Sequence, residues 1–475
     1  MNTINNWMRY SVSSRIIIIG VLSLILLIPV QIIKELVRDR ASLKDVAVAE
    51  ISQKWGGQQI VAGPILSIPY KTYIITEKGE RVSTTAYAHF LPETLNIDGT
   101  LRPEKRSRGI FDAVVYSSDI RFSGKFLTSD LLNFDTKDKE MDWNKAFISV
   151  GISDVRGVEN TIDFNWNDEK FAFRPGVPTN GVIQKNPQPT DFAQKEYYGE
   201  KIPSSIYQPQ TAEIGQNSGV SLNVPLRLED SRKQNRDFSF TLKLKGSQNI
   251  QFIPVGKTTE IALKSDWNNP SFSGAFLPDT REVTDKDFTA VWKILDINRG
   301  YPQSWTDNAY DIYSSASGVE LLAGIDGYGK TTRSAKYALL IIALTFLIFF
   351  FAEIFNKKKI HPIQYILVGL SLVLFYSLLV STSEIIGFAP AYAISSIAII
   401  GLITLYSSSV LANKKMATVQ GLILIFLYVF IFILLQLEDY ALLIGSILLF
   451  VILATIMFIS RKVDWYTTGN KNDFT

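Results

Sequence analysis

The sequence contains no cysteine and only two histidines, His89 and His361, in 475 residues. Without cysteine, disulfides, thiolate metal sites, iron–sulfur ligation and a cysteine nucleophile are all excluded. Two histidines cannot form a multi-histidine zinc site, and neither is accompanied by a serine elbow or an HExxH pattern. We therefore predict no catalytic residue, metal or cofactor, and we expect His89 to be a structural or surface residue.

The chain also has little net charge, since 48 Lys+Arg are balanced by 45 Asp+Glu for a formal charge of +3. This excess is too small for the basic surface that nucleic-acid binding requires, so we expect no nucleic-acid partner. The charges are distributed unevenly, because the last 141 residues, from Ala335 to Thr475, contain only 9 Lys+Arg and 6 Asp+Glu. A single soluble globule is therefore excluded.

Six apolar segments are each long enough to cross a bilayer, which takes about 20 residues. They are Ile16–Ile33, Lys336–Phe355, Ile363–Ser383, Ala389–Ala412, Ala417–Leu437 and Tyr440–Ser460. The first could be a cleaved signal peptide, but Lys34 and Glu35 follow it where a cleavage site would have small residues. We therefore predict a transmembrane anchor at residues 16–33 and a five-helix transmembrane bundle at residues 335–460, both embedded in the lipid bilayer.

Basic residues predict the orientation of these spans, because they collect on the cytoplasmic side of membrane proteins. The basic clusters are Arg9 with Arg15, Lys357–Lys359, Lys414–Lys415 and Arg461–Lys462. All four fall on one side if residues 1–15 and 461–475 are cytoplasmic. The connection with Glu384, the connection with Glu438 and Asp439, and the whole of residues 34–334 then lie outside.

Residues 34–334 predict a large β-rich domain that begins with a membrane-proximal helix at residues 34–54. The helix is expected to end at Trp55 and Gly56, and Gly63-Pro64 is expected to complete a sharp turn into the first strand. Beyond it, runs such as Ser239–Leu244 alternate polar and apolar residues, which is typical of a sheet with one solvent-exposed face. The predicted fold class is therefore a membrane α-helical bundle of six spans plus a large exported β-rich, sandwich-like domain.

Residues 175–236 are poor in apolar runs and rich in Pro, Gln, Asn and Ser, which predicts a loop-rich insertion. The insertion could separate two lobes of the exported domain. A short repeat favours two lobes, since Phe90-Leu91-Pro92-Glu93-Thr94 matches Phe276-Leu277-Pro278-Asp279-Thr280 and an aromatic strand follows each.

Polar residues near the ends of the spans are the candidate functional residues of the bundle. Glu353 lies near the inner end of the second span and is expected to pair with the following lysines or to reach the membrane surface, rather than to relay protons. His361 and Pro362 are expected to begin the third span, and Gln364 and Tyr365 to bond neighbouring helices. No carboxylate lies at the centre of a span, which argues against an ion-coupled transporter.

The connection before the last span contains Glu438, Asp439 and Tyr440. Asp439 is expected to cap the last helix, where a carboxylate meets free N–H groups and the positive end of the helix dipole. Tyr440 is expected to lie in the interfacial aromatic belt. An alternative is that Glu438 and Asp439, together with Glu384, dock the exported domain through its lysine or arginine side chains.

Many short motifs of this chain, in their order, resemble the CreD family of bacterial inner-membrane proteins, which are called cell envelope integrity proteins. The resemblance runs from about Lys54 to Trp465 and includes Trp55-Gly56-Gly57-Gln58, Gly63-Pro64, Arg108-Gly109-Ile110-Phe111, Pro254-Val255-Gly256, Ser265-Asp266-Trp267, His361-Pro362-Ile363-Gln364-Tyr365 and Leu437-Glu438-Asp439-Tyr440. It implies an N-terminal anchor, a large periplasmic domain and a C-terminal helical bundle. It also implies a role in envelope maintenance and stress response, and it supplies no reaction and no catalytic residue.

The leading hypothesis is a non-enzymatic protein of the bacterial inner membrane that supports envelope integrity or the envelope stress response, with both termini cytoplasmic. Its periplasmic domain would bind an envelope protein, lipid or glycan. One alternative is a transporter or lipid-handling protein that uses the C-terminal bundle. A second alternative is an envelope enzyme that uses His89 or an acidic pair in the exported domain. The sequence sets neither the ligand nor the oligomeric state.

Overall fold

A computed structural model of the chain describes residues 12–75, 81–132, 134, 140–167, 169–179, 218–224, 226, 235–322, 327–356, 360–437 and 441–461. Two compact units are present. The helical unit is Met1–Leu43 with Ile325–Thr475, and the β unit is Lys44–Gly324. Most of the insertion predicted at residues 175–236 lies outside the described residues, so its loop-rich character stays a prediction.

Long apolar helices dominate the helical unit. The described helices of the chain are α1 Val12–Ile25, α2 Leu27–Trp55, α3 Thr128–Leu132, α4 Gly327–Lys336, α5 Ala338–Asn356, α6 Pro362–Ile386, α7 Phe388–Leu411, α8 Lys414–Gln436 and α9 Ala441–Ser460. Five stretches are long and apolar enough to cross a membrane, namely Ile16–Trp55, which combines most of α1 with α2, and the helices α5 to α8. The first five predicted spans are confirmed to this extent. The sixth is helical in α9, but its described apolar stretch, Leu443–Phe458, is shorter than the other five.

Local residues define where the helices of this unit begin and end. Gly387 has a φ of +81°, outside the helical region, and separates α6 from α7. Ala412 is left-handed and ends α7, and Asn413 then caps α8 by accepting a hydrogen bond from the Met416 N–H at 3.2 Å. Because these connections are only one or two residues long, α6, α7 and α8 are antiparallel neighbours.

An aromatic cluster packs these three helices together. The ring of Phe375 on α6 contacts Tyr376 on the same helix, Tyr392 on α7 and Tyr428 on α8, with centroid distances of 5.0, 5.4 and 4.9 Å. All three contacts are edge-on, the geometry in which the positive ring edge meets the negative ring face. These ring contacts therefore pack α6, α7 and α8 against one another.

The β unit consists mainly of strands, so the predicted β-rich domain is confirmed. The described strands are β1 Gln59–Ile75, β2 Arg81–Phe90, β3 Thr94–Arg108, β4 Phe111–Phe126, β5 Glu140–Met141, β6 Phe147–Ile152, β7 Asp163–Trp166, β8 Glu169–Ala172, β9 Arg174–Pro175, β10 Gly219–Asn223, β11 Arg236–Ser247, β12 Asn249–Ile253, β13 Thr258–Ser265, β14 Pro270–Gly274, β15 Thr280–Val283, β16 Phe288–Leu295, β17 Ser304–Thr306 and β18 Ser317–Leu321. The predicted alternation is present in β11, where Phe238, Phe240, Leu242 and Leu244 are buried and the residues between them are not.

These strands form two sheets. The ten-stranded sheet has the order β14-β18-β12-β1-β6-β10-β9, with β2 and β5 also paired to β1 and with β17 paired to β2. The eight-stranded sheet has the order β15-β16-β13-β3-β4-β11-β7-β8. Among the described pairs, β1 with β12 and β3 with β13 are parallel, and the others are antiparallel.

One hydrophobic core contains side chains of both sheets. Phe122 of β4 stacks on Phe240 of β11 in the same sheet at 4.6 Å and contacts Phe252 of β12 in the other sheet at 6.2 Å. Phe272 of β14 and Trp292 of β16 make a second ring contact between the sheets, at 5.8 Å. The described residues of the β unit therefore share one core and do not divide into two lobes.

The short repeat that favoured two lobes occupies two different environments. Leu91 is 3% exposed, whereas the matching Leu277 is 68% exposed. Thr94 begins the 15-residue strand β3 inside its sheet, whereas Thr280 begins the exposed four-residue edge strand β15. The two segments are therefore not equivalent parts of a duplicated fold.

The motif Gly63-Pro64 lies inside β1, so the prediction that it completes a turn between helix and strand is wrong. Before the motif, β1 pairs with β12, and beyond it β1 pairs with β2. The register with β6 shifts at the same place, as expected at a proline, which cannot donate to the strand ladder. A Cβ at Gly63 would lie 2.8 Å from the carbonyl oxygen of Ser149, so the close approach of β6 requires glycine.

Candidate functional site

The end of α2 is attached to the eight-stranded sheet through Trp55. Its indole N–H donates to the carbonyl oxygen of Tyr116 on β4 at 3.1 Å. The Arg106 guanidinium of β3 and the Lys245 ammonium of β11 lie over the indole ring, 4.8 and 4.7 Å from its centroid. A cation over an indole face is attracted by the ring's electron density. Three neighbouring strands thus hold the last residue of the helix.

The two glycines that follow allow the chain to turn sharply against β11. Gly56 has a φ of +149°, and a Cβ there would lie 2.7 Å from the carbonyl oxygen of Lys245. The Gly57 N–H donates to a carboxylate oxygen of Asp154 at 2.8 Å, and its carbonyl accepts from the Ser247 N–H at 3.0 Å. The predicted end of the helix at Trp55 and Gly56 therefore has a steric cause.

Asp154 and Arg156 form an ion pair under the end of the helix. The Arg156 Nε and Nη2 donate to the two Asp154 oxygens at 2.8 and 2.7 Å, and Nη1 donates to the Gln53 carbonyl of α2 at 3.0 Å. Burial alone would raise the pKa of Asp154, but the hydrogen bonds from Arg156 and Gly57 outweigh it and hold this pKa below its usual value. The buried carboxylate is therefore charged and fully partnered.

Gln59 connects this ion pair to both sheets. The residue is completely buried at the start of β1. Its side-chain amide donates to the carbonyls of Asp154 and Lys245 at 3.0 and 2.8 Å and accepts from the Asp154 N–H at 3.2 Å. We call Trp55, Gly57, Gln59, Asp154 and Arg156 the helix-end network. Its bonds stay within the β unit, and its chemistry is that of a structural connection.

A second polar cluster surrounds His89. Ser67 of β1 and His89 of β2 are opposite each other in the sheet, with 2.9 Å between the hydroxyl and Nδ1. Trp305 of β17 is opposite His89 on its other side, with 5.6 Å between ring centroids. Asp307 accepts hydrogen bonds from the Tyr70 hydroxyl at 3.1 Å and from the Tyr87 N–H at 3.2 Å.

This cluster contains serine, histidine and aspartate but lacks the geometry of a catalytic triad. A triad needs an accessible serine on one imidazole nitrogen and a carboxylate on the other. Ser67 and His89 are each only 1% exposed, and Asp307 bonds to Tyr70 and Tyr87 instead of the imidazole in the described part of the chain. Burial lowers the pKa of His89 to about 4, against a weaker opposite effect of Asp307, so the ring is neutral at pH 7.

In the helical unit, His361 and Gln364 cap α6. The Ile363 N–H donates to His361 Nδ1 at 3.3 Å, and the His361 N–H donates to the Gln364 side chain at 3.0 Å. Pro362 occupies the first helical position, where its missing N–H costs nothing. His361 thus has a capping role, and Gln364 bonds within its own helix and to no neighbouring helix in the described part of the chain.

Tyr365 does bond a neighbouring helix. Its hydroxyl donates to the carboxylate of Glu353 on α5 at 3.2 Å. Glu353 is 2% exposed, so its carboxylate is enclosed by the protein. The alternative expectation, an ion pair with the lysines at 357–359, lies outside the described residues. The Tyr365 hydroxyl is thus a partner of Glu353 that the charges near Glu353 in the sequence did not indicate.

Glu384 has partners inside the helical unit. The Tyr328 hydroxyl of α4 donates to it at 3.0 Å, and the Arg40 Nε of α2 lies 3.8 Å from the same oxygen. Burial, and then the bond to Glu384, raises the pKa of Tyr328. The residues Glu438, Asp439 and Tyr440 lie outside the described part of the chain, so the cap and the docking role proposed for them stay predictions.

Comparison with known proteins agrees with these motifs. The model of the family described as inner membrane protein CreD matches residues 11–466 of the chain. Inner membrane protein CreD of Escherichia coli (strain K12) is 32% identical over 451 residues, which cover 93% of this chain and 91% of that protein. The chain belongs to the CreD family. The resemblance seen in the sequence is thereby confirmed, and the apolar helices are those of a multi-pass CreD-family protein in the bilayer of the inner membrane.

The motifs in the sequence did not indicate several residues of the helix-end network and of the cluster around His89. Ser67, Gln59, Asp154 and Arg156 lie in runs without a recognisable spacing, and only the folded strands bring them together. Gln59 directly follows the motif Trp55-Gly56-Gly57-Gln58, which was the one available signal for a structured connection. A lone Asp-x-Arg triplet occurs in many solvated loops and predicts nothing by itself.

We expect Asp154→Ala to destabilise the β unit by about 1.5–3 kcal/mol, the usual contribution of hydrogen bonds to charged groups. The change leaves the Gly57 N–H and the Arg156 guanidinium without their acceptor. Urea unfolding of the full chain in detergent, followed by tryptophan fluorescence, measures the effect, since six of the eight tryptophans lie in Lys44–Gly324. Asp98→Ala at an exposed position is the control. Equal stabilities of the two variants would contradict a supporting role of the network.

We also expect His89 to make the stability of the β unit depend on pH. With a folded pKa of about 4 and an unfolded pKa of 6.5, only the unfolded chain binds this proton between those values. The His89 contribution is therefore present above pH 6.5 and is lost as the pH falls towards 4, by about 1.4 kcal/mol per unit and about 3 kcal/mol in total.

Urea unfolding at pH 7.0 and pH 4.5 measures this dependence. His89→Gln should reduce the difference between the free energies of unfolding at the two pH values, because glutamine cannot take up the proton. His361→Gln changes the other histidine of the chain and should leave the difference intact. An unchanged slope in His89→Gln would show that the imidazole is not held neutral by the fold.

Proposed function

We propose that this protein supports the integrity of the bacterial cell envelope as a non-enzymatic inner-membrane protein, with a β unit that binds an envelope component. The observation that carries this proposal is the placement of the reactive side chains. Ser67, His89 and Asp154 are buried and bonded within the β unit, so the groups that an enzyme would present to substrate serve the fold. A large sheet-rich unit of this kind offers its surface for binding.

We further propose six spans, cytoplasmic termini and a periplasmic, sandwich-like domain at residues 34–334. Supporting the orientation, Lys414 and Lys415 begin α8 and are exposed, whereas Glu384 lies near the end of α6. Because α7 runs antiparallel to both helices, α6 and α8 have the same direction, and the start of α8 and the end of α6 lie on opposite sides of the bundle. Supporting the sandwich, side chains of both sheets share one core. The periplasmic partner is an envelope protein, lipid or glycan, and in-cell crosslinking from the β unit followed by mass spectrometry distinguishes these classes.

A second candidate function is a transporter or lipid-handling protein that uses the helical unit. The observation that favours it is a group of buried polar side chains on α7 and α8, of which Gln420 has neither amide atom hydrogen-bonded within the described residues. A polar interior is expected where a membrane protein handles a polar group.

Deletion of the gene should increase killing by detergent or by a wall-active antibiotic, and the wild-type gene should restore survival. Ser67→Ala, expressed at the wild-type level, should restore survival equally, because the proposal requires no nucleophile. Survival that does not change on deletion would overturn the envelope role. Restored survival with the wild-type gene but not with Ser67→Ala would instead favour the enzyme.

The topology can be tested by thiol labelling, because the chain has no native cysteine. In cells with a permeabilised outer membrane, an impermeant maleimide should label Lys286→Cys in the β unit and spare Lys414→Cys at the start of α8. Both positions are exposed, so both should label after the inner membrane is disrupted. Labelling of Lys414→Cys but not of Lys286→Cys while the inner membrane is still intact would show that the proposed orientation is wrong.

A further inference from the structure

The helices α7 and α8 approach closely at Thr404 and Gly421. A Cβ at Gly421 would lie 2.7 Å from the Thr404 hydroxyl oxygen. Ser407 lies one turn beyond Thr404 on α7, and Gln420 directly precedes Gly421 on α8. Because the two helices are antiparallel, both residues lie on the same side of this crossing, towards the end where Ala412 and Asn413 join the helices.

The polar side-chain atoms at this crossing are enclosed by protein but have no hydrogen-bond partner among the described residues. Ser407 is 0% exposed and Gln420 is 2% exposed. Within the described part of the chain, neither hydroxyl, of Thr404 or Ser407, and neither amide atom of Gln420 makes a hydrogen bond. An amide or hydroxyl without a partner is unfavourable in an apolar interior, and the bilayer core supplies no water to replace one.

Several other hydroxyl groups of the helical unit do have a partner. Thr345 donates to the Ile341 carbonyl at 2.7 Å, Ser408 to the Leu405 carbonyl at 2.8 Å and Thr418 to the Lys414 carbonyl at 2.9 Å. Each uses a backbone carbonyl of its own helix. At the crossing, four unpartnered atoms of the described residues occur together on two helices in close approach, and this clustering points to a partner that is not part of the chain.

The chemistry of the crossing indicates what that partner is. Residues 400–411 of α7 and 416–428 of α8 contain no charged side chain, so a charged ligand would have no counter-ion on either helix there. Amide and hydroxyl groups both donate and accept hydrogen bonds. An alcohol meets these requirements, because it is neutral and its hydroxyl both donates and accepts hydrogen bonds.

We propose that Thr404, Ser407 and Gln420 form a binding site for an uncharged hydroxyl-bearing group inside the helical unit. Such a group could come from the headgroup of a neutral lipid, such as diacylglycerol, or from a free polyol. The site depends on neither the envelope role nor the orientation of the protein, since it is built entirely from α7 and α8.

The test uses the full chain in nanodiscs, where both membrane faces are open, and the small neutral reagent methyl methanethiosulfonate. Ser407→Cys should react at least tenfold faster than Leu424→Cys, a buried position one turn from Gln420 whose apolar side chain has no role in the site. Diacylglycerol in the nanodisc, or free glycerol in solution, should slow the Ser407→Cys reaction at least threefold. Slowing by diacylglycerol alone identifies a lipid, and slowing by glycerol identifies a free polyol.

Gln420→Leu in the Ser407→Cys background separates binding from structure. In a binding site this change should abolish protection by the alcohol while thermal unfolding occurs at the same or a higher temperature, because a buried unpartnered amide has been removed. Protection that survives Gln420→Leu would overturn the assignment. Equal reaction rates of Ser407→Cys and Leu424→Cys would overturn it as well, as would a fast reaction that neither alcohol slows.

Discussion

The hydrogen bonds of the Asp154 carboxylate and the Gln59 amide are the constraint on which the β unit depends. Gln59 bonds both the Asp154 backbone and the Lys245 carbonyl, so it connects the first strand of one sheet to β11 of the other. Asp154 then binds Gly57 and Arg156, and Arg156 reaches the last turn of α2. Buried polar groups must be partnered, and here each partner belongs to a different element. The helix end, β1 and β11 are thereby held in one arrangement.

Close backbone packing makes this arrangement possible. A Cβ at Gly157 would lie 2.1 Å from the Lys245 carbonyl oxygen, and one at Gly246 would lie 2.2 Å from the Tyr116 hydroxyl. Together with Gly56, these glycines let three chain segments meet where the Gln59 amide needs its acceptors. The motif at the end of α2 is thus one part of a junction whose other parts lie about 100 and 190 residues further along the chain.

Each unit contains buried polar groups that are bonded within the fold and others that have no hydrogen-bond partner among the described residues. In the β unit, Asp154, Gln59 and the Ser67–His89 pair are bonded within the fold. In the helical unit, the cap of α6 and the Tyr365–Glu353 bond are complete, but the crossing of α7 and α8 is not. The backbone of a membrane helix makes its hydrogen bonds within the helix. An unpartnered polar side chain there therefore destabilises the folded protein without supporting its structure. The reason for assigning binding chemistry to the crossing is that four unpartnered atoms of the described residues occur there on two neighbouring helices.

Much of the architecture followed from local pattern. Long apolar runs predicted the first five spans, because crossing hydrocarbon requires about 20 apolar residues whatever the fold. Alternation predicted strands such as β11, and the pair His361-Pro362 marked the start of α6. The strand β3 was not predicted, because four of its last five residues, from Glu104 to Arg108, are charged and all five are exposed. They are extended because each pairs with a residue of β4 in a long hairpin.

The sequence by itself determined the division into apolar helices and a β-rich unit, the family, and the helix boundaries at Trp55 and His361, since these depend on residues near one another in the chain. Only the tertiary structure decided the single core, the place of Gly63-Pro64 inside β1, the burial of Glu353 and His89, and the close approach of Thr404 to Gly421. The physical reason is that pairing, burial and hydrogen-bond satisfaction depend on which distant segments come into contact. No local spacing encodes that choice, because many partners would suit each segment equally well until the whole chain has packed.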